Sequence, residues 1–184
     1  MRTLSEAIVP IQVHTEKAHD LTALEPQLYK RVTDLLNAVK DPELPMLSIQ
    51  DLGILRDLGW SEDKHLVVKI SPTYSGCPAV QAIRESILEQ LEQHGFSNVH
   101  VVEQLSPAWT SEWMSDRGKA ALKEHGIAAP LSNACSNPVP SSGIECPQCN
   151  STQTNLLTEF GSTACKAMYN CNACFETFDY FKAF

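Results

Sequence analysis

Neither a long apolar run nor a basic cluster occurs in this 184-residue chain. No stretch of 18 apolar residues occurs, so no membrane-spanning helix is expected. The short apolar piece IVPIQV near the start is too brief and too interrupted for a signal-peptide core, so a cytoplasmic protein is expected. Lys and Arg number 14 against 22 Asp and Glu, a formal net charge of -8. A phosphate backbone would be repelled overall, which speaks against a nucleic-acid partner. Phosphate loop, dinucleotide fingerprint, H-E-x-x-H and Ser-His-Asp order are all missing, and the six histidines are scattered. No conventional active site assembles from such a sequence.

Cysteine is what the chain does have, seven in all. Four fall in two C-x2-C pairs, C-P-Q-C at Cys146 and Cys149 and C-N-A-C at Cys171 and Cys174. Two intervening residues let both thiolates of a pair reach one metal from a tight knuckle, and two knuckles supply a tetrahedral sulfur set. Structural zinc fits that set. Iron, mononuclear or clustered, is chemically admissible too, because thiolates suit both and spacing does not separate them. Residues between the pairs suffice for a hairpin including Gln153 to Leu157 and the FGSTACK turn, and the tail FETFDYF can add a strand. A module of about 40 residues has little core of its own, so metal is expected to supply much of its stability.

Ahead of this module the periodicities describe an α/β domain with the order helix, strand, strand, helix, strand, helix. Leu24, Leu28, Val32, Leu35, Leu36 and Val39 lie on one helical face that stops before D-P-E-L-P. A strand is expected from Ile54 to Leu58, then a turn at SEDK, then an internal strand in HLVVKISPT. Pro78 opens a helix carrying Val80, Ile83, Ile87, Leu88 and Leu91, and VHVVEQL gives another strand. Thr110 or Ser111 is expected to cap one short helix running to Lys123. The expected division is an N-terminal arm over 1–23, the α/β domain over 24–127, a Pro- and Ser-rich linker over 128–143, and the ribbon over 144–184.

Cys77, in S-P-T-Y-S-G-C-P, falls between the strongest strand and the following helix. There its sulfur would meet the free N–H groups of the helix start, which favour a thiolate. The competing account is a plain buried cysteine. Thr73 and Ser75 are expected to satisfy the loop backbone. The carboxylates of Asp41 and Glu43, flanking Pro42, and of Asp51 are expected to serve turns first and metal or proton chemistry second. Cys165, six residues before Cys171, is either a small buried hydrophobe or a further thiol near a metal. Cys135 lies in the linker and receives no role.

These segments resemble the MIP18 family, the DUF59 domain. The resemblance rests on Asp41, Pro42, Glu43 and Pro45, on Asp51, Leu52 and Gly53, and on Thr73, Cys77 and Pro78, and it covers about residues 24–126. It implies a small mixed sheet with helices, and a role in assembling or carrying iron or iron–sulfur clusters with Cys77 as the working thiol. With CPQC, FGSTACKAMYNCNAC and FDYFK added, nearly the whole chain resembles the D-subunit family of the bacterial phenylacetyl-CoA 1,2-epoxidase system, which serves phenylacetate degradation. That resemblance implies partners among the oxygenase and reductase subunits. It leaves two main roles: an accessory factor that matures iron centres, or a non-catalytic structural component of the complex. A free-standing thiol enzyme is a weaker third. One thiol does not hold a cluster, so further ligands are expected from a second copy in a homodimer, from Cys165, or from the target enzyme.

Overall fold

The computed structural model describes residues 21–131 and 139–184, so Cys135 lies outside the described residues. Its elements are β1 (Thr22–Ala23), α1 (Pro26–Leu36), β2 (Leu55–Trp60), β3 (Leu66–Ile70), α2 (Ala79–Glu92), β4 (Val99–Glu103), a 3-10 turn (Ser111–Trp113), α3 (Asp116–Glu124), β5 (Ile127–Ala128), β6 (Thr154–Thr158), β7 (Lys166–Cys171) and β8 (Thr177–Phe181). They build a mixed α/β fold followed by a ribbon, with two four-stranded sheets ordered β1-β2-β3-β4 and β5-β8-β7-β6. No described helix is long and apolar enough to cross a membrane.

β3 is internal as expected. Leu66, Val68 and Ile70 are almost wholly buried. β2 runs antiparallel to β3 on one side and β4 parallel to it on the other. A strand covered on both faces reads as a near-continuous apolar run, and L-V-V-K-I is broken only by Lys69, which pairs with Asp57 at 3.6 Å. The parallel pair needs a crossover, and α2 supplies it. Ile83, Ile87 and Leu91 recur at helical spacing and are buried to 1% exposure or less, each contributing about 1.5–3 kcal/mol over an exposed position. α1 begins with Pro26 at its first position and buries Val32 and Leu36. The turn at SEDK closes with Lys64 in the left-handed region, φ 59°.

The helix expected between Thr110 and Lys123 is two pieces. Thr110 caps the 3-10 turn through the N–H of Glu112, Met114 is extended, and Ser115 caps α3 through the N–H of Gly118. The break follows from Asp51, whose main-chain carbonyl accepts from the Ser115 N–H at 2.9 Å. The expected boundary at 23/24 separates β1 from its partner β2, and that at 127/128 falls inside β5. Thr22 pairs with Trp60, and Ile127 and Ala128 lie beside Asp179 and Tyr180 of β8. The far end of the 128–143 segment is likewise tied to the ribbon. The Tyr169 hydroxyl donates to the Pro140 carbonyl, and the Leu156 N–H donates to the Ser141 carbonyl.

The two modules share their packing. Phe181 and Cys165, both from the ribbon, sit in the main core, and Phe181 meets Trp109 edge-on at 6.1 Å. The ribbon keeps a separate small core around Tyr169, Phe178 and Tyr180, with Cys146 and Cys171 at its edge.

Candidate metal centre and the Cys77 loop

The two ribbon knuckles have the same backbone construction. In the first, the N–H of Asn150 donates to the Cys146 carbonyl at 2.9 Å, and Asn150 has φ 60°. In the second, the N–H of Phe175 donates to the Cys171 carbonyl at 2.9 Å, and Phe175 has φ 64°. Each knuckle therefore reverses just after its second cysteine. A left-handed Phe is unfavourable for a bulky side chain, and here the tight turn requires it. Facing each other, the knuckles bring all four sulfurs within 4.8 Å of one another. Sγ of Cys149 is 3.5 Å from that of Cys171, and Sγ of Cys146 is 3.8 Å from that of Cys174. A tetrahedron with metal–sulfur bonds of about 2.3 Å has sulfur–sulfur edges of about 3.8 Å, so the set fits one thiophilic ion. Main-chain N–H groups, that of Cys174 first, pull the Cys171 thiol down to about 6, while burial and the neighbouring thiols hold Cys174 up at about 12 against the Glu176 N–H, so only part of the set is prepared as thiolate.

Asp51 is a structural hub. Its Oδ1 accepts from Ser115 Oγ at 2.9 Å and Arg117 Nε at 2.8 Å, and its Oδ2 from Ser48 N–H, Ser48 Oγ and Arg117 Nη2 at 2.7–3.0 Å. Burial opposes the charged form, but the hydrogen bonds from Ser48, Ser115 and Arg117 outweigh it and hold the carboxyl below its ordinary value. Gly53, two residues on, has φ 68°, and a Cβ there would collide with the Trp113 carbonyl. Gly118 is equally constrained, since its Cβ would lie 2.8 Å from the Asp51 carbonyl oxygen. The D-L-G segment thus locks the β2 approach against α3. Asp41 has a similar local duty, accepting from the N–H groups of Glu43 at 2.8 Å and Leu44 at 2.9 Å. Burial pushes its carboxyl up, against those two donors. The turn role expected of these carboxylates holds for both aspartates.

Glu43 differs: its carboxylate faces a sulfur. Cys165 Sγ lies 3.9 Å from Glu43 Oε2 and 3.0 Å from Thr163 Oγ1. Cys165 is therefore not beside the ribbon's four sulfurs. It is turned towards the α/β domain. Cys77 borders the same region, half-buried on the loop that leaves β3. Gly76, at φ 84°, turns that loop, and the Cys77 N–H donates to the Tyr74 carbonyl. The Ala79 N–H at the α2 start acts to lower the thiol. Yet burial comes first and Glu43 and Asp41 add to it, so the Cys77 thiol is raised rather than activated. Burial raises Cys165 as well, and Glu43 contributes. Ser75 is exposed on this loop and Thr73 is buried. The convergence of Cys165 on Glu43 joins residues 122 positions apart, and only folding brings it about.

Comparison with known proteins follows the same two-part division. Residues 133–182 match the family model of the PaaD zinc beta ribbon domain, and residues 30–102 match that of the iron-sulfur cluster assembly protein. A protein of Escherichia coli (strain K12), provisionally named as the D subunit of 1,2-phenylacetyl-CoA epoxidase, is 42% identical over 88% of this chain and 97% of its own length. The chain belongs to this family of epoxidase D subunits. Its α/β half is 31% identical to the Fe-S protein maturation auxiliary factor YitW of Bacillus subtilis (strain 168), over 54% of this chain and 97% of that one. The crystal structure of a DUF59 domain from Bacillus anthracis is 29% identical, covering 50% of this chain and 89% of that chain with a TM-score of 0.46.

Proposed function

We propose that this protein is an accessory factor that helps mature the iron or iron–sulfur centres of a phenylacetyl-CoA 1,2-epoxidase, without catalysing the oxygenation itself. The observation that carries the reading is the pairing of two kinships in one chain. One half is akin to iron–sulfur maturation factors, and the whole is akin to an epoxidase component. Its partners are then the oxygenase and reductase subunits, met in the cytoplasm. The ribbon holds zinc as a structural ion through Cys146, Cys149, Cys171 and Cys174, since four thiolates leave no open coordination position for chemistry. Cys77 handles the cargo. Its loop is half-exposed, and its raised thiol is neutral until a cation displaces the proton. A single thiol holds iron loosely, which suits delivery over storage.

The test replaces the native copy in cells with Cys77→Ser and measures iron content and specific activity of the purified epoxidase. The expected outcome is an epoxidase depleted in iron and in activity, while the variant itself folds and keeps its ribbon metal. Fully loaded, active epoxidase would refute the transfer role. Full metal loading with lost activity would favour a structural component of the complex instead.

A further inference from the structure

We propose that Cys77, Cys165 and Glu43 form a second metal site at the junction of the two modules, separate from the ribbon's four cysteines and open enough to take a ferrous-class divalent ion as cargo. This rests on the maturation reading above for its cargo, but the site itself rests on placement. Each module contributes a thiol that its own fold does not need for the ribbon metal. The α/β domain brings Cys77 on the loop after β3 and Glu43 on the D-P-E-L-P turn. The ribbon brings Cys165 on the residue preceding β7. Cys165 Sγ is already 3.9 Å from the Glu43 carboxylate.

The surroundings fit such a site. Tyr74 and Cys77, on the loop after β3, both pack against the core in which Cys165 is buried. Lys166, the residue next to Cys165 on the ribbon side, is engaged with Asp179 at 3.5 Å. Phe184 stacks over Tyr74 with 6.4 Å between ring centroids. Two thiolates and a carboxylate suit a borderline-soft divalent ion better than a hard one. Among the described residues, only the ribbon's sulfurs are already gathered at metal distance. The junction site must close by side-chain rotation of Cys77 and Glu43, with the two thiol protons released to solvent as the ion binds. A site that must close and can reopen binds weakly and exchanges. It also gives the ribbon a purpose beyond holding its own ion: the turn into β7 brings Cys165 to the α/β domain.

Cobalt(II) is the probe, added anaerobically to the full chain whose ribbon zinc has been measured and stays at one per chain. The wild-type protein is expected to take one further cobalt with a near-ultraviolet thiolate-to-cobalt charge-transfer band, and X-ray absorption at the cobalt edge should find two sulfur neighbours. Cys77→Ser and Cys165→Ser should each weaken this cobalt on the order of 100-fold, and Glu43→Gln about 10-fold, with ribbon zinc unchanged. The exposed pair His65 and His100, whose ring nitrogens are 2.9 Å apart, gives no such band if it binds cobalt. No charge-transfer band in the wild type, or one sulfur neighbour only, overturns the site. An unchanged band in a folded Cys165→Ser overturns the share of Cys165. Should Cys165→Ser unfold, the sulfur count in the wild type and the Glu43→Gln affinity decide. Cobalt binding is measured on the isolated chain and epoxidase loading in cells, so either idea can fail while the other stands.

Discussion

The ribbon and the α/β domain are organised by different forces, and their cysteines differ accordingly. In the α/β domain, apolar burial around β3 and the hydrogen-bonded Asp51 carboxylate hold the elements together, and Cys77 is peripheral to both. In the ribbon, the core is a few aromatic side chains, and four sulfurs close the structure. The lesson is that a cysteine's role follows from what else its module has to rely on. Where the core is small, thiols go to architecture. Where it is ample, a thiol is not needed to close the structure.

The largest effect expected from breaking this contrast is loss of the ribbon ion. Cys149→Ser, or a strong chelator, should remove about one metal ion per chain and melt β6 to β8, since structural sites of this type supply on the order of 10 kcal/mol. Elemental analysis and amide exchange give the readout. Protection across Val67 to Ile70 should survive, because that strand is buried between β2 and β4. If it is lost together with the ribbon, Phe181 and Cys165 couple the modules into one cooperative unit.

The second effect strikes the other module. Asp51→Ala strips five hydrogen bonds from a carboxylate that is 4% exposed and leaves the Ser48 N–H and the Ser115 hydroxyl without their acceptor. A cost of about 3 kcal/mol is expected in denaturant unfolding, with ribbon metal retained. Acid should do the same gradually. The Asp51 carboxyl is lowered in the folded state, so its contribution is complete above its ordinary value of 3.8 and fades as pH falls through the lowered folded value. Asp51→Asn should flatten that part of the acid unfolding profile, and a profile identical to the parent's would remove Asp51 from the account.

Which of these features were legible in the residues follows from how local their causes are. β3, α2 and the three ribbon strands β6 to β8 announce themselves through period and turn chemistry, because each strand or helix carries its own apolar pattern. The ribbon's ligand set is legible because two residues of spacing are enough to define a knuckle. β1 and β5 are two residues each and have no period; only their partners, Gly59 to Trp60 and Asp179 to Tyr180, define them. The split of the last helix was written in Ser115, a good cap followed by Asp116, but Thr110 and Ser111 offer equal caps upstream. The hub at Asp51 depends on Arg117, 66 positions away. At Cys77 the sequence-based expectation of an activated thiolate counts the helix N–H but not the burial or Glu43, which is a tertiary neighbour.

The smallest effect expected is the most informative about the comparison. Cys77→Ser exchanges one half-buried thiol for a hydroxyl of smaller size on a loop whose neighbours Ser75 and Pro78 are exposed. Its packing against the core is partial, and its backbone N–H bond to the Tyr74 carbonyl is unaffected by the side chain. A change in unfolding free energy within about 1 kcal/mol is therefore expected, and no change in ribbon metal content. The same chemical exchange at Cys149, which is itself exposed, should instead abolish the module. Thermal unfolding of the two variants side by side, with metal content measured on each, makes the comparison. A Cys77→Ser variant as damaged as Cys149→Ser would mean that Cys77 is part of the architecture. A near-parent melting curve leaves its thiol free for chemistry, because nothing in the stability of the α/β domain then requires a sulfur at that place.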